Sequence, residues 1–203
     1  MERKILVTIA REYGSGGSAI GRRLAEKLGC PFYDKELLTL AAKESGIKED
    51  LFQQADERPA GRFWDAMATG AGSFGNRHVA LGELPMNDRL FLIQSDIIRK
   101  VAARGSCVIV GRCADHILRD EPDALRFFIY ASVENRLERI VNLYHVPESD
   151  ARTVMERTDR ERAAYYAHHT QGKWGKAENY HLSVDSSVLG IDGTADLLLT
   201  FAR

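Results

Sequence analysis

The stretch that most constrains the fold is residues 4–28, where an apolar segment, a glycine cluster and an amphipathic segment follow one another. Residues 5–9 are apolar and rich in β-branched side chains, which predicts a buried strand. Glycines cluster over residues 14–17, and apolar residues then recur at helical spacing as far as Leu28. A strand, a glycine turn and a helix in this order aim backbone N–H groups at a phosphate.

The glycine cluster matches two phosphate-binding motifs, each incompletely. Residues 14–19 fit G-x-G-x-x-A, the dinucleotide fingerprint, and Asp34 follows at the distance of its ribose-binding acid. In a standard P-loop, GxxxxGK[ST], Gly17 would be the lysine, Arg11 the first glycine and Ser18 the hydroxyl residue that reaches Mg²⁺. A tight turn without a ligand is the third interpretation.

Composition limits the classes of function. A chain of 203 residues fits one domain, and a net charge of −1 gives no global field that favours nucleic acid or an anionic membrane. The sequence contains no apolar run of about 18 residues, the length that suggests a membrane span, and no signal peptide is recognisable. Three cysteines without metal-ligand spacing predict reduced thiols and a cytoplasmic location.

Predicted strands alternate with predicted helices along most of the chain. Strands are expected at residues 5–9, 107–110, 125–130 and 180–184. We expect Asn87 or Asp88 to cap the helix that ends near residue 104, and Thr194 to cap the last helix. This alternation predicts an α/β fold, a parallel sheet flanked by helices on both faces, with ligands at the carboxyl ends of the strands.

The chain is predicted to be a single domain with two appendages. The core would comprise residues 1–34, 86–150 and 178–203, and a helical lid would span about 151–177. An inserted acceptor lobe would span about 35–85. Within it, the glycine-rich stretch 57–85 predicts either a mobile lobe near the substrate or a surface insertion.

Arginines supply the candidate anion ligands. Arg112 follows a buried strand and would point its planar fork into the crevice, unless it pairs with Asp115. The arginine-rich segment 152–162 predicts either a salt-bridged solvated helix or a lid over a transferring phosphoryl group. The adjacent residues His168 and His169 would point to different faces of a helix, so we expect a poor metal pair.

Three blocks of the sequence, in this order, resemble the nucleoside-monophosphate kinases, and most closely the bacterial cytidylate kinase-like proteins. The blocks are VTIAREYGSGGSAIGRRLAEKLGCPFYDKELL, VIVGRCADHIL, and TDRERAAYY with the later YHLSVDSSVLGID. The resemblance implies a P-loop NTPase-like core, ATP with Mg²⁺ as donor, and CMP or dCMP as acceptor. We expect no nucleic-acid or membrane partner, and a monomer or a homodimer.

The same resemblance assigns roles to individual residues. The donor phosphates would be held by Gly14, Ser15, Gly16, Gly17 and Ser18, with Ser18 also reaching the metal. The acceptor side would comprise Asp34, Lys35, Arg112 and Asp159. Arg162 would be a catalytic cation, with Arg157 and Arg160 as its neighbours. Arg11 is a fourth candidate, which rests on its place in the loop and not on the resemblance.

Two departures from cytidylate kinase keep other functions open. Gly17 replaces the P-loop lysine, and Cys113 replaces the aspartate that reads cytosine in cytidylate kinase. Our hypothesis is that Arg11 or Lys35 supplies the missing charge. The alternatives are a nucleotide-binding regulatory protein (a pseudokinase) on the same fold and, third, an NAD-binding oxidoreductase, which Asp34 favours.

Overall fold

The computed structural model describes residues 4–46 and 85–203. Its strands are β1 (Leu6–Arg11), β2 (Phe32–Tyr33), β3 (Cys107–Val110), β4 (Ala124–Tyr130) and β5 (Leu182–Asp185). Its helices are α1 (Gly17–Leu28), α2 (Glu36–Ser45), α3 (Met86–Arg104), α4 (Ala114–Ile117), α5 (Val133–Tyr144), α6 (Glu148–Thr170) and α7 (Ser186–Ala202), with a 3₁₀ turn at Ala177–Asn179. No helix in these two ranges is long and apolar enough to cross a membrane.

The strands form one parallel sheet in the order β2-β3-β1-β4-β5. Because β1 lies between β3 and β4, the loops after β1 and β3 leave the same edge of the sheet side by side. This confirms the predicted parallel α/β sheet, and it places the glycine cluster next to Arg112.

Alternating side chains of the strands fill a separate core on each face of the sheet. Leu6, Cys107 and Ile109 pack with apolar residues of α2, α3 and α4. Val7 and Ile9 point the other way and pack with α1 and α7. Helices therefore cover both faces, which explains why these strands are nearly continuous runs of apolar residues.

Two predicted helix caps are wrong. Helix α3 begins at Met86 after Pro85, so Asn87 and Asp88 lie inside its first turn. Helix α7 begins after Asp185, whose carboxylate accepts a hydrogen bond from the Ser187 N–H. Thr194 instead lies buried inside α7. Its hydroxyl donates to the carbonyl of Gly190, where the helix kinks.

The predicted division into core, lobe and lid is only partly visible. Of the acceptor lobe, the structure describes α2, whose Leu37, Leu38 and Ala41 are buried in the core cluster. The glycine-rich stretch 57–85 lies outside the described residues except for Pro85. The lid prediction corresponds to α6 and the segment after it, and its separation from the core stays a prediction.

Candidate functional site

A cavity of about 450 Å³ opens at the carboxyl edge of the sheet beside the glycine cluster. Its described lining comes from the loop after β1, the start of α1, the β2–α2 connection, and the helices α5 and α6. The lining residues are Arg11, Glu12, Tyr13, Gly14, Gly16, Gly17, Ser18, Asp34, Lys35, Tyr144 and Arg162. Six predicted site residues thus share one cavity with two predicted catalytic arginines.

The backbone of the loop after β1 has the shape of an anion site. Gly14 and Gly16 adopt left-handed conformations, with φ of 80° and 81°. A Cβ on Gly14 would lie 2.8 Å from the Arg136 carbonyl oxygen, so a side chain there would also clash. Gly16 is the N-cap of α1, and no described side chain caps that helix end or places an acid in its first turn. The N–H groups at this end, with the positive end of the helix dipole, are suited to phosphate.

Arg11 occupies the space that a side chain at position 17 would need. A Cβ built on Gly17 would lie 2.5 Å from the Arg11 Cβ and 2.9 Å from its Cγ. Carbon atoms in contact are normally about 3.5–4.0 Å apart. A lysine at position 17 is therefore incompatible with Arg11 in its present position.

The far end of Arg11 lies beside a carboxylate and a hydroxyl. Its Nη2 is 4.0 Å from Asp34 Oδ1, and both side chains are largely buried, at 12% and 15% exposed. The Ser18 hydroxyl donates to Asp34 Oδ2 at 2.6 Å. Arg11 therefore places its guanidinium near two oxygen ligands, Asp34 and Ser18, in the cavity of the glycine loop.

Three arginines of α6 are predicted to be catalytic, and among the described residues that line the cavity Arg162 is the one of them present. Its Nη1 donates to the carbonyl of Arg11 at 3.0 Å, and its guanidinium carbon lies 5.7 Å from the centre of the Tyr13 ring. The side chains of Arg157 and Arg160 are 58% and 70% exposed and pair with glutamates of their own helix. The salt-bridged interpretation thus describes these two. Arg162 lies at the cavity, and its catalytic role stays a prediction.

Asp159, predicted to contact the acceptor, is bound to the glycine loop in this structure. Its Oδ1 accepts from the Tyr13 N–H at 2.8 Å, and its Oδ2 pairs with the Arg136 Nη2. The Arg136 Nε also donates to the Tyr13 carbonyl at 2.7 Å, and its Nη1 is 3.1 Å from Glu12 Oε2. Asp159 and Arg136 thus hold the N–H and the carbonyl of Tyr13, and Glu12 contacts the same guanidinium group.

Sequence reasoning missed Arg136 and Glu12. Arg136 is 6% exposed on a helix whose buried face also contains Ile140. Residues four apart lie on the same face of a helix, so an arginine four residues before a buried isoleucine indicates a buried arginine. Such an arginine is rarely buried without a charged partner. Burial raises the pKa of Glu12, and the neighbouring Arg136 partly opposes that rise.

Arg112 is buried at the edge shared by the two loops. It is 3% exposed, has a φ of 58°, and its Nε lies 3.4 Å from the Asp34 carbonyl oxygen, to which it donates. With Arg11 and Arg162 it lines a second, small pocket of about 20 Å³. Asp115 accepts a 2.9 Å hydrogen bond from the Tyr166 hydroxyl.

A third cavity, of about 450 Å³, adjoins the glycine loop on its other side. Arg139, Leu143 and Tyr144 of α5 line it, together with Gly16 and Ile191. The Arg139 Nη1 donates to the Gly14 carbonyl at 3.1 Å. Gly16, Ser18 and Tyr144 border both large cavities, so the two form neighbouring parts of one surface.

Comparisons with known proteins agree with this architecture. A protein from Eubacterium ventriosum, solved by crystallography and described as uncharacterized, is 26% identical with a TM-score of 0.71, and the match covers 98% of each chain. Shikimate kinase from Bacteroides thetaiotaomicron is 12% identical with a TM-score of 0.57 over 98% of each chain. Shikimate kinase from Acinetobacter baumannii, in complex with shikimate, is 14% identical with a TM-score of 0.54 over 98% of this chain and 93% of that one. No curated protein matches the sequence.

The two shikimate kinases show the fold alone, which is that of the P-loop kinases. The sequence model of the cytidylate kinase-like family matches residues 6–188, which includes the glycine loop, Arg112 and all of α6. This match spans most of the chain and agrees with the resemblance found in the sequence. The chain therefore belongs to the cytidylate kinase-like family.

Proposed function

We propose that the protein transfers a phosphoryl group from ATP to a nucleoside monophosphate, with CMP and dCMP as the first acceptors to test. The observation that carries the proposal is the position of Arg11. Its side chain passes over Gly17 and brings a guanidinium into the cavity of the glycine loop. The loop therefore has a cation at its mouth although the P-loop lysine is absent.

Compared with the P-loop pattern, a glycine and a cation have changed places at positions 11 and 17. In GxxxxGK[ST], a residue without a side chain occupies the first position and a cation follows the last glycine. Here the cation occupies the first position and Gly17 follows the last glycine. The steric conflict between the two positions explains why such a change must involve both. Of the two candidates, Arg11 and Lys35, this contact supports Arg11.

The remaining groups match what phosphoryl transfer needs, which is positioning and stabilisation of charge. The N–H groups at the start of α1 would hold the donor phosphates. Arg11 and Arg162 would stabilise the charge on the transferring group, and Arg112 would hold the acceptor phosphate.

A hydroxyl and a carboxylate are hard oxygen ligands of the kind that Mg²⁺ accepts, so Ser18 and Asp34 fit this ion. Bound with ATP, Mg²⁺ supplies neutralisation of the phosphate charge. The cavity beside Arg139 and Ile191 is the place for the donor nucleoside, since it adjoins Gly16 and is large enough for a base and a sugar.

An ADP-release assay across all nucleoside monophosphates tests the proposal. We expect turnover with at least one acceptor, and stabilisation of the protein against heat by ATP with Mg²⁺. Ligand at 100 times its Kd should add about 2.7 kcal/mol to stability. Stabilisation by NAD and not by ATP would refute the kinase function and favour an oxidoreductase.

A nucleotide-binding regulatory protein is the second candidate, and the acceptor side favours it. Cys113, Tyr165 and Tyr166 are buried together, and the pocket that they form with Arg112 holds about 20 Å³, too little for a nucleobase. A kinase must open this pocket to admit its acceptor. ATP binding without turnover on any nucleoside monophosphate would support this second candidate.

A further inference from the structure

Three potential metal ligands meet where the end of α6 lies against the start of α3. Asp88 belongs to the first turn of α3, and His168 and His169 to the last turn of α6. One ligand atom from each lies within 4.8 Å of the other two. The sequence predicts a poor metal pair because adjacent histidines point to different faces of a helix, yet both rings lie near the same carboxylate oxygen here.

The separations match those of ligands around one small ion. His168 Nε2 is 2.9 Å and His169 Nδ1 is 3.7 Å from the same oxygen, Asp88 Oδ1. Two ligands about 2.0–2.1 Å from a tetrahedral zinc ion lie about 3.3 Å apart. The two observed separations lie on either side of this value, so small side-chain rotations would make room for the ion.

Aromatic side chains pack around the ring of His169. Its ring stacks on Phe91 with the centroids 4.0 Å apart and the planes within 8° of each other, and it meets the edge of Tyr165. The side chain is 4% exposed. This packing restrains the orientation of the His169 ring, so its Nδ1 stays near Asp88.

We propose that Asp88, His168 and His169 bind a divalent transition-metal ion, with Zn²⁺ the best match. Two imidazole nitrogens and one carboxylate oxygen form a ligand set that zinc accepts and that Mg²⁺, which requires oxygen ligands, does not. Among the described residues that line the glycine-loop cavity, none belongs to this cluster. The cluster therefore lies outside the site of the proposed phosphoryl transfer.

Metal at this position ties the end of α6 to α3. Arg162 lies seven residues, about two turns, before His169 on the same helix. The bound ion therefore restrains the helix that carries Arg162 into the nucleotide cavity. Because the ligands come from two helices, binding also stabilises the packing between them.

Isothermal titration of the metal-free protein with ZnCl₂ tests the proposal, with MgCl₂ as the comparison ion. We expect one zinc per chain and a rise in the melting temperature that Mg²⁺ does not produce. His168→Ala and Asp88→Asn should each weaken zinc binding by about tenfold or more. His168 is 54% exposed, so its removal leaves the fold intact.

His145→Asn is the matched control. His145 is an exposed histidine between α5 and α6, about 30 Å along α6 from the cluster. Asparagine tolerates its positive φ of 55°. This variant should bind zinc as the native protein does. Zinc affinity unchanged by His168→Ala, or no zinc binding by the native chain, would overturn the proposal and leave a simple histidine–aspartate contact.

Discussion

Reversing the exchange of Arg11 and Gly17 is the most direct test of how this site supplies its cation. Three variants are needed: Arg11→Gly, Gly17→Lys and the double variant. Arg11→Gly removes the cation together with the Cβ that lies 2.5 Å from the Cβ position of residue 17. Gly17→Lys alone forces two side chains into one space, and the double variant restores the usual P-loop arrangement.

The contacts give the expected magnitudes. Gly17→Lys alone should lower the free energy of unfolding by about 1–3 kcal/mol, the usual cost of overpacking. Arg11→Gly should lower turnover about 10²–10³-fold, since removing one group that stabilises transition-state charge has that effect. In the double variant the clash disappears and a cation returns. We expect its turnover within about tenfold of the native value, so the two substitutions should be strongly non-additive.

Urea unfolding measures the stability of the four proteins, and ADP release with the preferred acceptor measures turnover. The melting temperature with ATP and Mg²⁺ provides a readout that does not depend on the acceptor. The reasoning fails if Gly17→Lys is as stable as the native protein, because the contact would then be unimportant. It also fails if the double variant is no more active and binds ATP no better than Arg11→Gly.

Four further substitutions test the site. Arg162→Ala should reduce turnover about 10²-fold or more in the ADP-release assay. Arg160→Ala should leave turnover nearly unchanged in the same assay. Equal effects of the two substitutions would contradict the different placement of their side chains. Arg136→Met should lower the free energy of unfolding by about 3–5 kcal/mol in urea, because two carboxylates lose their cation, and a cost below about 1 kcal/mol would contradict that role. The pKa of buried Asp115 is raised from 3.8 to about 6, so its contribution to stability is lost as the pH rises through that interval. Asp115→Asn should then be more stable than the native protein at pH 8, by up to about 3 kcal/mol, and equal to it below about pH 4; a difference independent of pH would contradict the assignment.

The fold could be predicted from local patterns because the strands are buried on both faces. Their runs of apolar residues, such as Cys107–Val110, are recognisable without knowledge of their partners. Helix ends were predicted less well because the signals compete. At the start of α7, Thr194 matches a cap as well as Asp185 does, and only the packed structure shows which one the helix uses.

The glycine loop was predictable for a similar reason, since backbone conformation is encoded locally by glycine. Which arginine reaches it was not predictable from α6 alone. Arg160 and Arg162 are separated by about 200° around the helix, so one meets the loop and the other meets solvent. Periodicity shows that they lie on opposite faces, but tertiary packing decides which face is turned inward.

The absence of the lysine is therefore weak evidence against catalysis. In a phosphate site the position of the charged group matters, and a long side chain can bring it there from more than one Cα. Arg11 starts at the end of β1, whereas a P-loop lysine starts in the first turn of the helix. By the P-loop motif, which fixes a residue type at each position, Arg11 and Gly17 are two separate departures, the loss of a glycine and the loss of a lysine. On our proposal they are one coupled change, because a side chain at position 17 would clash with Arg11.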